Sequence, residues 1–419
     1  MSTYVIGLNT VSSDDDRLQA MLSQARTAGH RPLCACTPQG VEMYTAKVGG
    51  TYIIKRMPGS GAEHALSCES YEPPPELSGL GQVQGSAITE DTDSGVTTLR
   101  LGFSLSKAGG KTAPEASGAP SDSVATDGTK LTLRGMLHYL WEEAGFNRWT
   151  PAMAGRRNWS VVRKYLLEAA AGKNAKGKGI VESLYVPERF SVEQKEAIAA
   201  RRMQQMMAVA SSGTGRRKLL LAIGEVKEIA QSRFGHKIIL KHAADCPFMM
   251  NEDLYKRMTK RFESELALWD AVESAHLMVV GTFAVGTTGV ASFEELSLMV
   301  VTENWIPFEN TFDKLVIDAM TDAGRPFMKG LRYNLADSVP LASVVATDTE
   351  PTPTALYIIG PEADDDDVSR VNELAAYSAL ASWIWNSGSD PMPALPRAGG
   401  ADLPSSDENA PFLAQTEQF

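Results

Sequence analysis

The sequence of 419 residues is poor in cysteine and contains no long hydrophobic run, and each of these absences excludes a class of protein. Four cysteines in a chain of this length cannot form the dense disulfide framework of a small secreted domain. The first residues lack the basic and apolar regions of a secretory signal, and no apolar stretch has the length that a bilayer requires. We therefore expect a cytoplasmic protein with no membrane partner.

Charge is distributed unevenly along the chain. The net charge of −11 would by itself argue against binding to a polyanion. Between Pro151 and Leu220, however, the chain has 14 lysines and arginines against 5 glutamates, which leaves the remainder with a net charge of −20. The middle of the chain is therefore a basic segment in an acidic protein, and nucleic-acid binding remains open.

The periodic and turn-rich segments predict a multidomain protein of the mixed α/β (α+β) class. Val41–Val48 and Thr51–Lys55 flank Gly49-Gly50, which is typical of a β-hairpin with a two-residue turn. Residues 106–128 are almost devoid of large apolar side chains. We expect a zinc-binding module (1–105), a flexible linker (106–128), a basic helical segment (129–215), an α/β domain (216–385) and a disordered tail (386–419).

The first module contains a set of metal-ligating residue types at paired spacing. Structural zinc takes four cysteine or histidine ligands in a tetrahedron, commonly as two close pairs. The predicted hairpin would bring the two pairs together, and four protein ligands leave no open position for catalysis. An alternative is a group of ordinary buried thiols and a histidine. We predict one structural zinc ion bound by Cys34, Cys36, His64 and Cys68.

Two amphipathic helices are predicted in the basic segment, over Leu131–Ala144 and Trp159–Ala171. A short connection between such helices is compatible with a helix-turn-helix or winged-helix core. A helical connector with solvated charges is an equally weighted alternative. If the segment binds nucleic acid, the candidate contacts are Arg156, Arg157, Arg163, Lys164, Lys173, Lys176 and Lys178.

The last domain has the predicted order helix (Glu309–Ala323), three strands and helix (Val368–Trp385), which resembles the core of restriction-endonuclease-like nucleases. That resemblance implies a Pro-Asp and a Glu-x-Lys motif for Mg²⁺ binding, and this chain has Pro340-Leu341 and Tyr357-Ile358-Ile359 instead. Only Glu309, Asp313 and Asp348 remain as potential ligands. We expect a degenerate core without nuclease activity.

The N-terminal motifs also resemble a family of uncharacterised proteins carried on bacterial integrative conjugative elements and plasmids. The resemblance covers nearly all of the ordered chain, and a metal module followed by a nuclease-like domain is similar in order to the competence-related CoiA-like proteins. The motifs that carry the family resemblance are Cys34-x-Cys36, Gly49–Ile53, Lys55–Gly59, His64, Cys68, Ser70–Glu72, Leu137–Trp141, Tyr185–Phe190 and Trp383–Pro396.

These observations predict a non-catalytic, zinc-binding, DNA-associated accessory protein of a bacterial mobile genetic element. Its partners would be DNA or other proteins of the element, with Lys55 and Arg56 on the hairpin as candidate partner contacts. Two alternatives remain at this point. One is a divergent Mg²⁺-dependent nuclease that uses Glu309, Asp313 and Asp348, and the other is a protein-interaction scaffold that does not bind nucleic acid.

Overall fold

A computed structural model describes residues 2–107, 128–210, 217–233 and 235–399. The N-terminal region contains a five-stranded sheet in the order β2-β1-β3-β4-β5, with antiparallel neighbours throughout. Its elements are β1 (Thr3–Ile6), β2 (Asn9–Ser12), α1 (Leu18–Thr27), β3 (Leu33–Cys34), β4 (Val41–Val48), β5 (Thr51–Arg56), α2 (Leu80–Val83), β6 (Ile88–Asp91), β7 (Val96–Leu99) and β8 (Ser106–Lys107).

The predicted hairpin is present as β4 and β5. Gly49 and Gly50 both have positive φ, at 57° and 90°, which is the backbone conformation that a two-residue hairpin turn requires. The buried apolar cluster between α1 and the sheet is small, with Ile6, Val11, Leu22 and Ala25 at its centre. This region therefore has little hydrophobic core of its own.

In the described residues, the middle of the chain contains three α-helices and four short strands, and its first helix lies in the interior. The elements are α3 (Leu133–Glu143), β9 (Arg148–Trp149), α4 (Trp159–Ala170), β10 (Lys173–Ala175), β11 (Lys178–Gly179), β12 (Leu184–Tyr185) and α5 (Lys195–Met207). Apolar residues of α3 pack in one cluster with Leu221, Ile223 and Met278 from later strands. This packing differs from that of the predicted winged-helix core, because α3 is a buried helix that packs against strands from the next part of the chain.

A closed five-stranded barrel follows. Its elements are β14 (Leu220–Ser232), β15 (Gly235–Leu240), β16 (Phe248–Met250), α6 (Glu252–Arg261), α7 (Glu263–Ala271), β17 (His276–Val285) and β18 (Ala291–Val301), preceded by β13 (Arg217–Lys218). The barrel order is β14-β15-β16-β18-β17, and it closes because β14 also pairs with β17. β16 and β18 are parallel, whereas the other neighbours are antiparallel. This order, with helices between the third and fourth strands, is the topology of the OB-fold.

The last sheet has the order β22-β21-β20-β19-β9. Its elements are α8 (Thr311–Asp322), β19 (Phe327–Lys329), β20 (Val344–Ala346), β21 (Thr354–Ile359), α9 (Asp365–Tyr377) and β22 (Ala381–Asn386). The predicted helix Val368–Trp385 is wrong beyond Tyr377, because Ala381–Asn386 pairs in parallel with all of β21. The sheet thus has two more strands than the three that the nuclease-like pattern predicted, β22 and β9.

The two segments predicted to lack structure lie partly outside the described residues. Residues 108–127 of the proposed linker and 400–419 of the proposed tail are outside the part of the chain that the structure describes. Residues 386–399 instead lie against the last sheet, where the Ala394 carbonyl accepts a bond from Trp383 Nε1 at 2.9 Å and the Pro396 carbonyl one from Arg325 Nη1 at 2.7 Å. Among the described residues, no helix is long and apolar enough to cross a membrane.

Candidate metal centre and neighbouring cavity

The four predicted metal ligands come together beside the β4–β5 hairpin. Cys34 is the last residue of β3, and Cys36 follows in the turn toward β4. A short 3₁₀ turn, Gly61–Glu63, precedes His64, and the Cys68 amide donates to the Ala65 carbonyl at 2.8 Å. The hairpin therefore brings two turns that are about thirty residues apart in the sequence to one point.

The four side chains have the spacing of a tetrahedral site. Cys34 Sγ lies 3.6 Å from Cys68 Sγ, and His64 Nδ1 lies 3.4 Å from Cys36 Sγ and 3.7 Å from Cys68 Sγ. All four ligand atoms fall within 4.8 Å of one another. In a tetrahedron with Zn–S bonds of about 2.3 Å, two sulfur atoms lie about 3.8 Å apart. The cluster could therefore bind a metal ion such as zinc.

The surroundings of the cluster also fit a cation. The amides of Ala65 and Ser70 donate to the sulfur atoms of Cys36 and Cys68, at 3.5 and 3.4 Å, as backbone amides beside metal-bound thiolates do. Burial lowers the pKa of His64, which favours the neutral ring that a metal needs. Burial also raises the pKa of the Cys34 thiol to about 12, so a nearby positive charge is needed to hold it as a thiolate.

A polar cavity of about 240 Å³ lies between the hairpin and the end of α3. Its walls come from β5, β6, the segment after Cys68, the C-terminal turn of α3 and the loop to β9. Most of the accessible wall is polar. The charged residues that line it are Lys55, Arg56, Glu69, Glu72, Glu90, Glu142, Glu143 and Arg148.

Some of these charges are paired inside the protein. Arg56 forms an ion pair with Glu72 and donates to the Ser70 carbonyl at 3.2 Å. Glu143 is paired at 2.6 Å with Lys173, whose side chain is only 2% exposed. Among the described residues, Lys55 has no ion-pair partner within 4.0 Å. Lys55 and Arg56 thus line the cavity, rather than only the outer hairpin surface on which the sequence predicts partner contacts.

Glu142 makes the stability of the protein depend on pH. Burial, followed by the nearby Glu72 carboxylate, raises the pKa of Glu142 from 4.5 to about 8, although Tyr333 donates to it at 2.5 Å. A raised carboxyl pKa means that the native state retains a proton that the unfolded state loses.

The contribution of Glu142 to the free energy of unfolding should therefore be complete below a pH of about 4.5 and lost as the pH rises to about 8. The slope should be at most about 1.4 kcal/mol per pH unit. Glu142→Gln, which mimics the protonated acid, should remove this part of the slope in urea titrations across that range. An equal slope in the variant and the wild type would contradict the assignment.

The predicted nucleic-acid contacts divide into interior and surface residues. Arg157 donates to the backbone carbonyls of Gly145 and Asn304, each at 3.0 Å, and Lys173 is the buried partner of Glu143. Arg163 is half-buried and donates to the Val186 carbonyl at 3.2 Å. The structure does not bring the seven residues together as one surface. Those with exposed side chains are Arg156 and Lys164, together with Lys176 and Lys178 in the β10–β11 hairpin.

The three carboxylates considered for Mg²⁺ each face a cation of the protein. Glu309 receives three bonds of 2.7–3.0 Å from Arg332, and Asp348 is paired with Arg325 through both carboxylate oxygens. Asp313 is buried and lies 3.4 Å from Lys329 Nζ. In the described part of the chain, only the cysteine-histidine cluster gathers three or more potential metal ligands.

The sequence does not reveal the cavity or the exposed barrel face. Glu72, Glu90 and Glu142 come from three separate elements and, as charged residues, would ordinarily be placed at the surface. One signal was available for the barrel, because the β-branched Ile238 and Ile239 are typical of a strand.

Residues 4–388 match the model of a family described as "Protein of unknown function (DUF1173)", so the match includes the cluster, the cavity and the barrel. No curated protein and no solved structure matches the chain significantly.

Proposed function

This chain belongs to the DUF1173 family, and we propose that it is a non-catalytic, zinc-containing, DNA-associated accessory protein of a bacterial mobile genetic element. The observation that carries the proposal is the closed barrel with OB-fold topology. Barrels of this kind bind oligonucleotides across the outer face of their second and third strands. The mobile-element context rests on the sequence resemblance alone.

The outer face of β15 and β16 has the chemistry for a single strand. Ile238, Leu240, Phe248 and Met250 are buried inside the barrel, so the alternating residues on the same strands point outward. These outward residues, which are half-buried, combine a cation with apolar surface for bases, as in single-strand binding sites. They are Lys237, Ile239 and Met249.

The cations at this face are available to phosphate groups. Lys237 and the exposed Lys227, at the bulge of β14, form no ion pair within the described residues. On the opposite side of the barrel, Leu221, Met278 and Met299 are covered by the helical segment. In this proposal, Lys176 and Lys178 of the β10–β11 hairpin supply a second, sequence-independent phosphate contact.

In this proposal the zinc ion is structural and the last domain does not cleave nucleic acid. Four protein ligands would close the coordination shell. In a divergent Mg²⁺ nuclease, Glu309, Asp313 and Asp348 would have to give up their ion pairs with lysine and arginine in order to bind the metal. The existing ion pairs oppose that exchange. We interpret the last sheet with α8 and α9 as a degenerate restriction-endonuclease-like core.

Fluorescence anisotropy with a labelled 20-nucleotide single strand and the matching duplex tests the nucleic-acid function. We expect preferential binding of the single strand at low salt and a steep loss of affinity as salt rises. Lys237→Glu should weaken single-strand binding about tenfold, because it reverses a charge at the centre of the face. Lys260→Glu, an equal charge change on the exposed side of α6, is the matched control.

Absence of binding by the wild type at low salt would refute the nucleic-acid function. If Lys176→Glu with Lys178→Glu weakens binding and Lys237→Glu does not, the barrel is not the site. Incubation with plasmid and linear DNA in Mg²⁺ and Mn²⁺ tests the nuclease alternative, for which we expect no cleavage.

The scaffold alternative is favoured by one observation, a group of exposed apolar side chains around α5. Phe190, Val192, Met203 and Met207 are between 41% and 76% exposed. Scattered surface hydrophobics are ordinary, but several around one helix are typical of an interaction site. Binding of a partner protein by a chain that fails the anisotropy test would support this second function.

A further inference from the structure

The cavity beside the metal cluster has the features of a ligand-binding site. Neither metal binding nor the proposed nucleic-acid face of the barrel accounts for these features. It is lined by several separate parts of the chain, mainly through charged and polar side chains, whereas most interior contacts of a protein are apolar. Charged groups removed from bulk water are costly unless each has a partner. The charged side chains that lack an ion-pair partner therefore indicate which groups a bound ligand would carry.

Not every charged side chain of the cavity has an ion-pair partner. Arg56 pairs with Glu72, and Glu143 pairs with Lys173. Two cations remain without an ion pair among the described residues, Lys55 and Arg148. Arg148 uses both terminal nitrogens on the backbone carbonyls of Cys68 and Tyr71, which are neutral. These two cations therefore make no direct contact with a carboxylate, although Glu143 and Glu90 act on Lys55, and Glu72 on Arg148, from a greater distance.

Two carboxyl groups of the cavity lining offer hydrogen-bond acceptors. Glu90 accepts from the Tyr44 hydroxyl at 3.3 Å through Oε2, and Glu142 accepts from Tyr333 at 2.5 Å through Oε2. In the described structure, the Oε1 atoms of these two carboxyl groups have no hydrogen-bond partner, and neither atom is sealed from solvent. The Glu90 atom can therefore accept a bond from a hydroxyl or amino group, and the Glu142 carboxyl, which keeps its proton up to a pH of about 8, can donate or accept one.

We propose that this cavity binds a small anion that also carries a hydroxyl or amino group. Its carboxylate or phosphate would bind to Lys55 and Arg148. Its hydroxyl or amino group would form a hydrogen bond with Glu90 or Glu142. Charge-assisted bonds of this kind are stronger than neutral ones and fix the orientation of the ligand. The volume of about 240 Å³ suits a compact metabolite rather than a polymer. The site is separate from the proposed nucleic-acid face.

Isothermal titration calorimetry with a matched probe series tests this proposal. The probes are glycerol, D-glycerate and sn-glycerol 3-phosphate, which share a hydroxyl-bearing skeleton and differ in the anionic group. Both anions should bind the wild type and glycerol should not, and the tighter of the two identifies the preferred anion. Lys55→Met keeps the length of the side chain but removes its charge, and should weaken anion binding about tenfold to a hundredfold.

Two further variants separate the site from general charge effects. Lys47→Met removes one exposed lysine from the same hairpin and should bind the anions as the wild type does. Glu90→Gln should lower the affinity for the two hydroxylated anions by a few fold. It should leave the zinc content and the unfolding midpoint unchanged. The proposal is wrong if neither anion binds the wild type at concentrations up to about 10 mM, or if Lys55→Met and Lys47→Met bind equally well.

Discussion

Cys68→Ser should abolish metal binding and unfold the N-terminal module. Cys68 Sγ lies within 3.7 Å of two other ligand atoms, and a serine hydroxyl is a poor replacement for a thiolate on zinc. Structural zinc contributes on the order of 10–16 kcal/mol of apparent binding free energy in small zinc modules, and that free energy is available for folding. We expect about one zinc per chain in the wild type and none in the variant, measured by mass spectrometry of the metal.

The unfolding should be local to the metal module. Ile6, Val11, Leu22 and Ala25 form a core too small to hold the sheet alone, so amide hydrogens in β3 to β5 should exchange rapidly in the variant. The barrel has its own extensive core and should keep its protection. A variant that retains zinc and slow exchange in the hairpin would contradict the metal assignment.

Cys246→Ser is the matched control for this experiment. Cys246 is half-buried beside Met206, with the two sulfur atoms 3.9 Å apart, and lies outside the cluster. Its replacement should leave the zinc content unchanged and cost at most about 1 kcal/mol of stability. Loss of zinc in both variants would mean that the loss reflects general destabilisation.

The metal cluster and the hairpin could be predicted because their signals are local. Gly49-Gly50 between two β-rich runs specifies the turn, and the paired spacing of Cys34 with Cys36 and His64 with Cys68 specifies the ligands. The helical spacing of apolar residues that predicts α3 and α4 is likewise a local signal. Each of these features can therefore be found in a window of at most about forty residues.

The features that were missed depend on partners distant in the sequence. Trp383 and Trp385 fit a helix or a strand equally well, and pairing with β21 decides between them. Lys55 and Glu142 are charged residues whose cavity exists only once the hairpin packs near α3. The barrel closes through the pairing of β14 with β17, which no single segment encodes.

Asp313→Ala should destabilise the protein by about 3–5 kcal/mol, because it leaves the buried Lys329 without its ion-pair partner. The Asp313 and Lys329 residues are 4% and 3% exposed. Asp313 also accepts the Glu309 amide at 2.9 Å and the Ser343 hydroxyl, so its loss leaves further polar groups unpaired. Urea unfolding with intrinsic tryptophan fluorescence would measure the difference.

A double-mutant cycle separates this structural role from a role as a metal ligand. Lys329→Met alone should also be destabilising, whereas Asp313→Ala with Lys329→Met should lose less stability than the sum of the two single variants, since the double variant removes both buried charges. A metal ligand behaves differently: Mg²⁺ would raise the wild-type unfolding midpoint, as any ligand of the native state does. We expect no such shift, because Lys329 already supplies the positive charge beside Asp313. A midpoint that rises with Mg²⁺ in the wild type and not in Asp313→Asn would instead favour the nuclease alternative.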